Sequence, residues 1–216
     1  IELVVDRLWY RDKLDFSVHQ KLVALLPGSR QSELKQHLEL MCDAAELIKA
    51  EYPDVHFIVP LINEDAVAFS RGYMSQRRKY LIGEIQFVSA NTQNVLKAAD
   101  LAIIASGTAT LEALLCECPM VVTYKVSQLT AWLMRRRART TFVSLPNIIA
   151  NEHLVDEFIQ ERARSHMLAD AVISLFGQPE KLAGMRTRFR EIKKTLRVGS
   201  AIRSADVIQE FVGMNE

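Results

Sequence analysis

The amino-acid sequence predicts an α/β protein in which a parallel β-sheet is covered by helices on both faces. Short apolar runs alternate with segments of helical periodicity over residues 21–138. Two of the strand-to-helix corners carry a glycine, in Leu25–Arg30 and in Ala105–Ala109. Strands that alternate with helices form βαβ units, in which the connected strands are parallel. The predicted fold is therefore Rossmann-like.

Each element follows from its local pattern. The first strand, residues 21–26, is a continuous apolar run, which is typical of a strand buried on both faces. The other strands are predicted at residues 56–59, 85–88, 101–105 and 120–124. The helices that follow the strands are predicted at residues 31–50, 64–79, 91–99, 108–117 and 127–138. After Asn147 the strand signal stops, and further helices are predicted at residues 151–160, 165–176, 180–197 and 199–213.

These elements divide the chain into three parts. Residues 1–20 show no clean period and are predicted to be a linker or a remnant of a preceding domain. Residues 21–176 form the Rossmann-like domain. Residues 177–216 contain more helix than one sheet needs, so they are predicted to pack on another domain or on a partner chain. The first residue is Ile rather than Met, from which we expect a fragment of a longer protein.

The composition is that of an ordinary globular protein. Of 216 residues, 49% are hydrophobic and 25% are charged, and the net charge of +1 gives no indication of nucleic-acid binding. No apolar run reaches the roughly 18 residues of a membrane-spanning helix. Cys42, Cys116 and Cys118 lack metal-ligand spacing and are predicted to be ordinary thiols in a reducing cytoplasm.

The first glycine corner, Gly28-Ser29-Arg30, has two interpretations. A glycine at the start of a helix lets backbone N–H groups approach an anion, and the helix dipole adds to the attraction. The Arg30 guanidinium could then reach a phosphate. Alternatively, Ser29 caps the helix and Glu33 completes a capping box.

The second corner, Ser106-Gly107-Thr108, has the same two interpretations. Glu112 lies one turn further along the helix, where a carboxylate could accept the hydroxyls of a ribose or could simply be a solvated surface residue. Asn147, in the segment Ser144–Ala150, could contact a ligand or cap its own backbone turn.

A basic segment follows the last predicted strand. Its members with an expected membrane or anionic-substrate contact are Trp132, Arg135, Arg136, Arg137 and Arg139. An amphipathic helix of this composition can rest on anionic lipid, can hold an anionic substrate, or can be an exposed helix end.

Together these motifs resemble the lipid-A-disaccharide synthase family, bacterial glycosyltransferases of family 19 with two Rossmann-like domains in the GT-B architecture. The likeness covers residue 21 to the C-terminus. It is carried by Leu25–Arg30 with Glu33, by Ala105–Glu112, by Cys118–Tyr124 and by Phe142–Asn147. The chain would be the donor-binding C-terminal half of such an enzyme.

The resemblance implies a reaction. UDP-2,3-diacylglucosamine donates its sugar to 2,3-diacylglucosamine 1-phosphate, which gives the lipid A disaccharide phosphate and UDP with inversion at the anomeric centre. It implies no metal and no organic cofactor. It also implies a peripheral enzyme on the cytoplasmic face of the inner membrane of a Gram-negative bacterium.

The resemblance also implies roles for individual residues. Arg30, beside Gly28 and Ser29, would contact the phosphates or the sugar of the donor. Ser106, Gly107 and Thr108 would hold the diphosphate, Glu112 the ribose hydroxyls, and Asn147 would contribute to the donor pocket. No catalytic residue is expected in this chain, because the family's proposed base lies in the N-terminal domain, so the isolated chain should bind UDP-sugar without turnover.

In the GT-B architecture the last helices cross onto the N-terminal domain. An apolar face is therefore expected to be exposed here, and a homodimer could cover it; its candidates are Phe189, Ile192, Leu196, Ile208 and Phe211.

Two other functions remain open. One is another UDP-sugar transferase or an epimerase of similar fold, which should add histidines to the site. The five histidines are scattered and none stands at a corner: His19, His37, His56, His153 and His166. The other is a non-catalytic docking domain.

Overall fold

The computed structural model describes the backbone of residues 2–76, 84–125 and 142–213 and the side chains of residues 7–76, 84–125 and 142–196. In chain order the elements are α1 (Glu2–Asp12), β1 (Lys21–Leu26), α2 (Gln31–Glu51), β2 (Val55–Leu61), α3 (Glu64–Ser75), β3 (Ile85–Ser89), α4 (Thr92–Ala98), β4 (Leu101–Ala105), α5 (Thr108–Leu115), β5 (Met120–Tyr124), α6 (Leu145–Ala150), β6 (Glu157–Ile159), a 3-10 helix (Gln160–Arg162), α7 (Ser165–Phe176) and α8 (Pro179–Gly213).

The strands of the described residues form one sheet in the order β3-β2-β1-β4-β5-β6, and every neighbouring pair is parallel. This is the strand order of a doubly wound Rossmann-like fold. Helix α2 packs against α3 and α7, whereas α4 packs against α1 and α5, and α5 also packs against α8. The predicted fold class is confirmed.

The central strands form where the sequence predicts them. Strands β1, β4 and β5 have the predicted bounds, and β2 and β3 are longer by one to three residues. From Leu22 to Leu26 every side chain of β1 is buried, because helices cover both faces of the sheet. The predicted end of helix 64–79 and the whole of helix 127–138 lie outside the described residues.

Two predictions for the C-terminal part are wrong. Residues 151–160 were expected to be helical, but they contain β6, which pairs with β5 at the edge of the sheet. This strand has three residues, too few to show a period. Residues 180–197 and 199–213 form one helix, α8, because a single glycine such as Gly199 costs a helix only about 1 kcal/mol.

The long helix α8 packs on this domain. Phe189 and Ile192 were expected to be exposed, and both are buried, whereas Leu196 is partly buried against the same core. Arg186 ties the helix to the sheet by donating to the carbonyl oxygens of Glu117 and Asp100. The side chains of Ile208 and Phe211 lie outside the described part of the chain.

Residues 1–20, for which no element was predicted, contain the helix α1. Its Arg11 is buried and donates to the Asp100 carboxylate over 2.7 Å, to Ala98 O and to three carbonyls of residues 17–20. Arg7 also pairs with Asp100. Whether this segment is a linker or a remnant of a domain stays a prediction, but in this structure it packs against α4.

Candidate active site

A cleft of about 750 Å³ opens at the carboxyl ends of β1 and β4. These strands are neighbours, and the chain continues from them to opposite ends of the sheet. Ligands of doubly wound proteins bind at such a switch point. Its lining contains seven of the eight residues predicted for donor binding: Gly28, Ser29, Arg30, Ser106, Gly107, Thr108 and Glu112.

At the first corner a protein carboxylate occupies the backbone donors. Glu33 folds back, and its Oε2 accepts hydrogen bonds from the N–H groups of Ser29 at 3.1 Å and Arg30 at 3.3 Å. The predicted role of Glu33 in helix capping is thus confirmed, but the N-cap is Arg30 rather than Ser29. Gly28, with φ of 109°, makes room for this carboxylate.

The Arg30 side chain lies at the mouth of the cleft. It is 82% exposed and pairs with Glu33 over 3.3 Å. An exposed ion pair of this kind contributes at most about 1 kcal/mol. The guanidinium can therefore leave Glu33 for an anionic ligand at little cost.

At the second corner, Gly107, Thr108 and Ala109 line the cleft. Gly107 is the N-cap of α5, with φ of 156°, and an added β-carbon would meet no described atom within 4 Å. The amides of Thr108 and Ala109 belong to the first helical turn, where N–H groups lack an acceptor within the helix. This corner therefore offers N–H groups and the positive end of a helix dipole to an anion.

The second corner is braced from two sides. The Thr110 hydroxyl donates to Gly107 O over 2.8 Å, and the Ser106 hydroxyl donates to Val143 O over 3.3 Å. Glu112 is half-buried in the cleft wall, four residues after Thr108 and hence on the same face of α5. The charged side chains of the described lining are Arg30, Glu33 and Glu112. Among the described groups, the backbone amides and the helix dipole are therefore the main sources of positive potential in this cleft.

No histidine stands at either glycine corner, but His37 lines the cleft from within α2, a position that the sequence analysis did not assign to the site. His37 stands one turn after Glu33 on α2, so the four-residue spacing was the signal that could have revealed it. Its Nε2 accepts from Lys125 N–H at 3.3 Å, and its Nδ1 lies 3.1 Å from Glu33 O. The ring stacks on Tyr124. Burial lowers the pKa of His37, so it is a neutral brace between α2 and β5.

Asn147 is the predicted site residue that the cleft does not contain. It is fully buried, and its amide nitrogen donates to Val155 O and to Glu157 Oε1. Its amide oxygen accepts from the N–H groups of Leu154 and Val155. These four hydrogen bonds use both N–H groups and both acceptor positions of the side-chain amide. A direct contact between Asn147 and the sugar-nucleotide donor stays a prediction.

Glu157 organises the segment that contains Asn147, and sequence reasoning missed it. Its carboxylate accepts from Val143 N–H, from the N–H and hydroxyl of Ser144, and from Asn147. Since Val143 O in turn accepts from Ser106, the carboxylate is linked to the second corner through one loop. Its pairing partner in the sheet is Val122 of β5. No local motif marks Glu157, because its partners are 10 to 14 residues away.

The remaining predicted contacts, Trp132, Arg135, Arg136, Arg137 and Arg139, lie outside the described residues. Within the described ranges, no group of three or more His, Cys, Asp or Glu side chains could hold a metal ion. The helices described in full are too short or too polar to cross a membrane.

The fold is that of one Rossmann-like half of a GT-B glycosyltransferase. The chain is similar to the C-terminal domain of a group 1 family glycosyl transferase from Francisella tularensis, with a TM-score of 0.60 at 14% identity, over 88% of this chain and 91% of that one. At this identity the likeness concerns the fold alone.

The chain belongs to the lipid-A-disaccharide synthetase family, whose model matches residues 2–211. It is 36% identical to the lipid-A-disaccharide synthase of Cellvibrio japonicus and 39% identical to that of Alkalilimnicola ehrlichii, over 96% and 89% of this chain. It spans 53% and 50% of those two proteins, about half of their length. The match starts at residue 2, so the expectation that the likeness begins near residue 21 is wrong.

Proposed function

We propose that this chain supplies the UDP-sugar site of a lipid-A-disaccharide synthase. The observation that carries the proposal is the convergence of Gly107, with the open amides of α5, and Glu112 on one cleft at the switch point of the sheet. A nucleoside diphosphate needs donors for its phosphates and an acceptor for its ribose hydroxyls. The two needs are met one helical turn apart.

In the proposed complex the diphosphate lies against Gly107, Thr108 and Ala109, and Glu112 accepts the ribose hydroxyls. Arg30 leaves Glu33 and contacts the phosphates or the sugar. As the glycosidic bond breaks, negative charge grows on the departing UDP. The amides and Arg30 stabilise that charge without further reorganisation.

The donor would be UDP-2,3-diacylglucosamine and the acceptor 2,3-diacylglucosamine 1-phosphate. A general base must deprotonate the acceptor hydroxyl. We propose that this base lies in the other half of the enzyme, because this chain spans about half of its curated relatives. The isolated chain then binds UDP without forming disaccharide. Because both proposed substrates are lipids, we propose that the enzyme works at the cytoplasmic surface of the inner membrane.

Family membership favours this function over the epimerase and over a docking domain. His37 does not favour an epimerase, because its Nε2 accepts a hydrogen bond from Lys125 N–H and its pKa is lowered by burial.

Calorimetric titration of UDP tests the proposal, with Glu112→Gln as the variant and AMP as the control ligand. Hydrogen bonds to a charged group contribute about 1.5–3 kcal/mol, so we expect UDP affinity to fall roughly 10- to 100-fold. Glu51→Gln removes the same charge from the exposed end of α2 and should bind like the unchanged chain. Failure of the folded chain to bind UDP, or equal affinity in Glu112→Gln, would overturn the donor site.

A further inference from the structure

A second cavity, of about 630 Å³, lies between α1, α4, α8 and the turn from α5 to β5. Glu117 and the neighbouring Asp100 stand at the amino ends of β5 and β4. The cavity therefore lies at the amino ends of the strands, whereas the proposed UDP cleft lies at their carboxyl ends. None of the residues proposed for the donor site lines this second cavity.

The lining is strongly cationic, although the chain as a whole carries a net charge of only +1. Its described cationic side chains are Arg7, Arg11, Lys97, Arg186, Arg190 and Lys193. Glu117 is the one carboxylate among the described lining residues. Helix α8 alone contributes cations at positions 186, 190 and 193, which lie on one face because they are four and three residues apart.

The two nearby carboxylates are shared. Asp100 pairs with both Arg7 and Arg11, while Glu117 pairs with Arg190 at 3.0 Å and Lys193 at 3.3 Å.

Six cationic side chains thus face two carboxylates, a formal excess of four positive charges. Arg186 donates to carbonyl oxygens, and burial, together with the charge of Arg7, lowers its pKa. Crowded like charges of this kind are stabilised by an anion.

We propose that this cavity binds a phosphate group. Arg7, Arg190 and Lys193 are 29%, 40% and 36% exposed, so they can donate to a ligand while they keep their carboxylate contacts. Guanidinium groups match phosphate oxygens in fork geometry, and lysine adds a point charge. Arg11 is buried with its donors engaged and serves to hold α1 in place.

The test is a titration of the isotopically labelled chain with inorganic pyrophosphate, followed by NMR of the arginine Nε–H groups and the backbone amides. We expect the Nε–H signals of Arg7 and Arg190 to shift with a saturable dependence on concentration. The Gly107 amide reports separately on the UDP cleft, so this site is assessed even if the donor site fails.

Paired substitutions on α8 supply the control. Arg190→Gln with Lys193→Gln should weaken pyrophosphate binding at the Arg7 signal by at least about tenfold, as the loss of two charge-assisted contacts requires. Arg188→Gln also removes a cation from α8, but Arg188 pairs with Glu152 and Glu191 and does not line this cavity. It should leave the affinity unchanged. Absence of a shift at Arg7 and Arg190, or equal affinity in the double variant, would overturn the proposal.

A phosphate can come from a small molecule or from a lipid headgroup, and Leu8 and Val18 form an exposed apolar part of the lining. Flotation with phosphatidylcholine vesicles, with and without phosphatidic acid, distinguishes the sources. Binding to the acidic vesicles that the double variant loses supports a headgroup. Pyrophosphate binding without vesicle binding supports a soluble phosphate ligand.

Discussion

A β-carbon added to Gly28 would lie 2.5 Å from Oε2 of Glu33. The carboxylate occupies that space because it accepts the N–H groups of Ser29 and Arg30. Gly107, at the other corner, has no atom of the described residues within 4 Å of an added β-carbon. The two glycines therefore serve different purposes: the first accommodates a protein carboxylate, and the second leaves room for a ligand.

We expect Gly28→Ala to lower the free energy of unfolding by about 2 kcal/mol or more, because the positive φ and the contact with Glu33 both oppose a side chain. Gly107→Ala should lose about 1–2 kcal/mol from its backbone conformation alone, and it should lose UDP binding. Urea unfolding measures the free energy of unfolding of both variants, and calorimetric titration measures their UDP binding.

Two further substitutions control that comparison. Gly184 lies in α8 with no described atom within 4 Å of an added β-carbon, and its φ is not in the left-handed region, so Gly184→Ala should stabilise by about 0.5–1 kcal/mol. In a Glu33→Ala background Gly28→Ala should become less costly. Equal losses in the free energy of unfolding at positions 28, 107 and 184 would contradict the different roles assigned to Gly28 and Gly107.

Glu157→Gln should destabilise the chain by about 2–3 kcal/mol, since the added amide N–H₂ would face the N–H donors that the carboxylate now accepts. UDP affinity should fall as well, because the Val143 carbonyl that receives the Ser106 hydroxyl is held by this carboxylate. Chemical unfolding and calorimetry test the two effects. If UDP affinity were unchanged in the folded variant, the loop would have no part in positioning the second corner.

Acidification should destabilise the chain through His37. Its folded-state pKa is lowered by burial, so the unfolded state takes up a proton first as the pH falls through the ordinary histidine value of about 6.5. The contribution of neutral His37 to the free energy of unfolding is therefore present in full above that pH. It falls as the pH is lowered, until the folded-state pKa is reached. Unfolding at about pH 7.5 and about pH 5.5 should show a smaller loss in His37→Gln.

His166 is exposed on α7 and provides the control for that experiment, because His166→Gln should follow the unchanged chain at both pH values. Parallel losses in the chain and in His37→Gln would show that another group carries the pH dependence.

Phe189→Ala should cost about 3–5 kcal/mol, because the ring is fully buried between α8 and the domain core. Thr187→Ala, at an exposed position on the same helix, should change stability by less than about 0.5 kcal/mol. Thermal or urea unfolding separates the two. A small effect at Phe189 would mean that α8 leaves the domain in solution.

The sheet could be predicted because its central strands are buried on both faces, which leaves continuous apolar runs in the sequence. The edge strand β6 could not be predicted, since three residues with one buried side chain carry no period. Helix α1 was missed for a different reason. It is held by ion pairs to Asp100, some 90 positions away in sequence, and no local pattern records a partner at that distance.

The two glycine corners of the site were visible because turn chemistry is local. The difference between the two corners could not be predicted from the sequence. Only the fold shows that the Glu33 carboxylate fills the first corner and that no described side chain fills the second. Asn147 was predicted from its turn, yet its buried amide binds Val155 and Glu157. The role of such a residue depends on which segment it contacts in the fold, and Asn147 contacts β6 and the residues just before it.

Asp100 joins parts of the chain that are far apart in sequence. Its carboxylate accepts from Arg7, Arg11 and Leu22 N–H, and its carbonyl accepts from Arg186. Each of these bonds holds α1, β1 or α8 against the residue that precedes β4, so one residue links all three elements to the sheet. The turns of α1 and α8 that contact Asp100 should therefore unfold together with the sheet in a single cooperative transition.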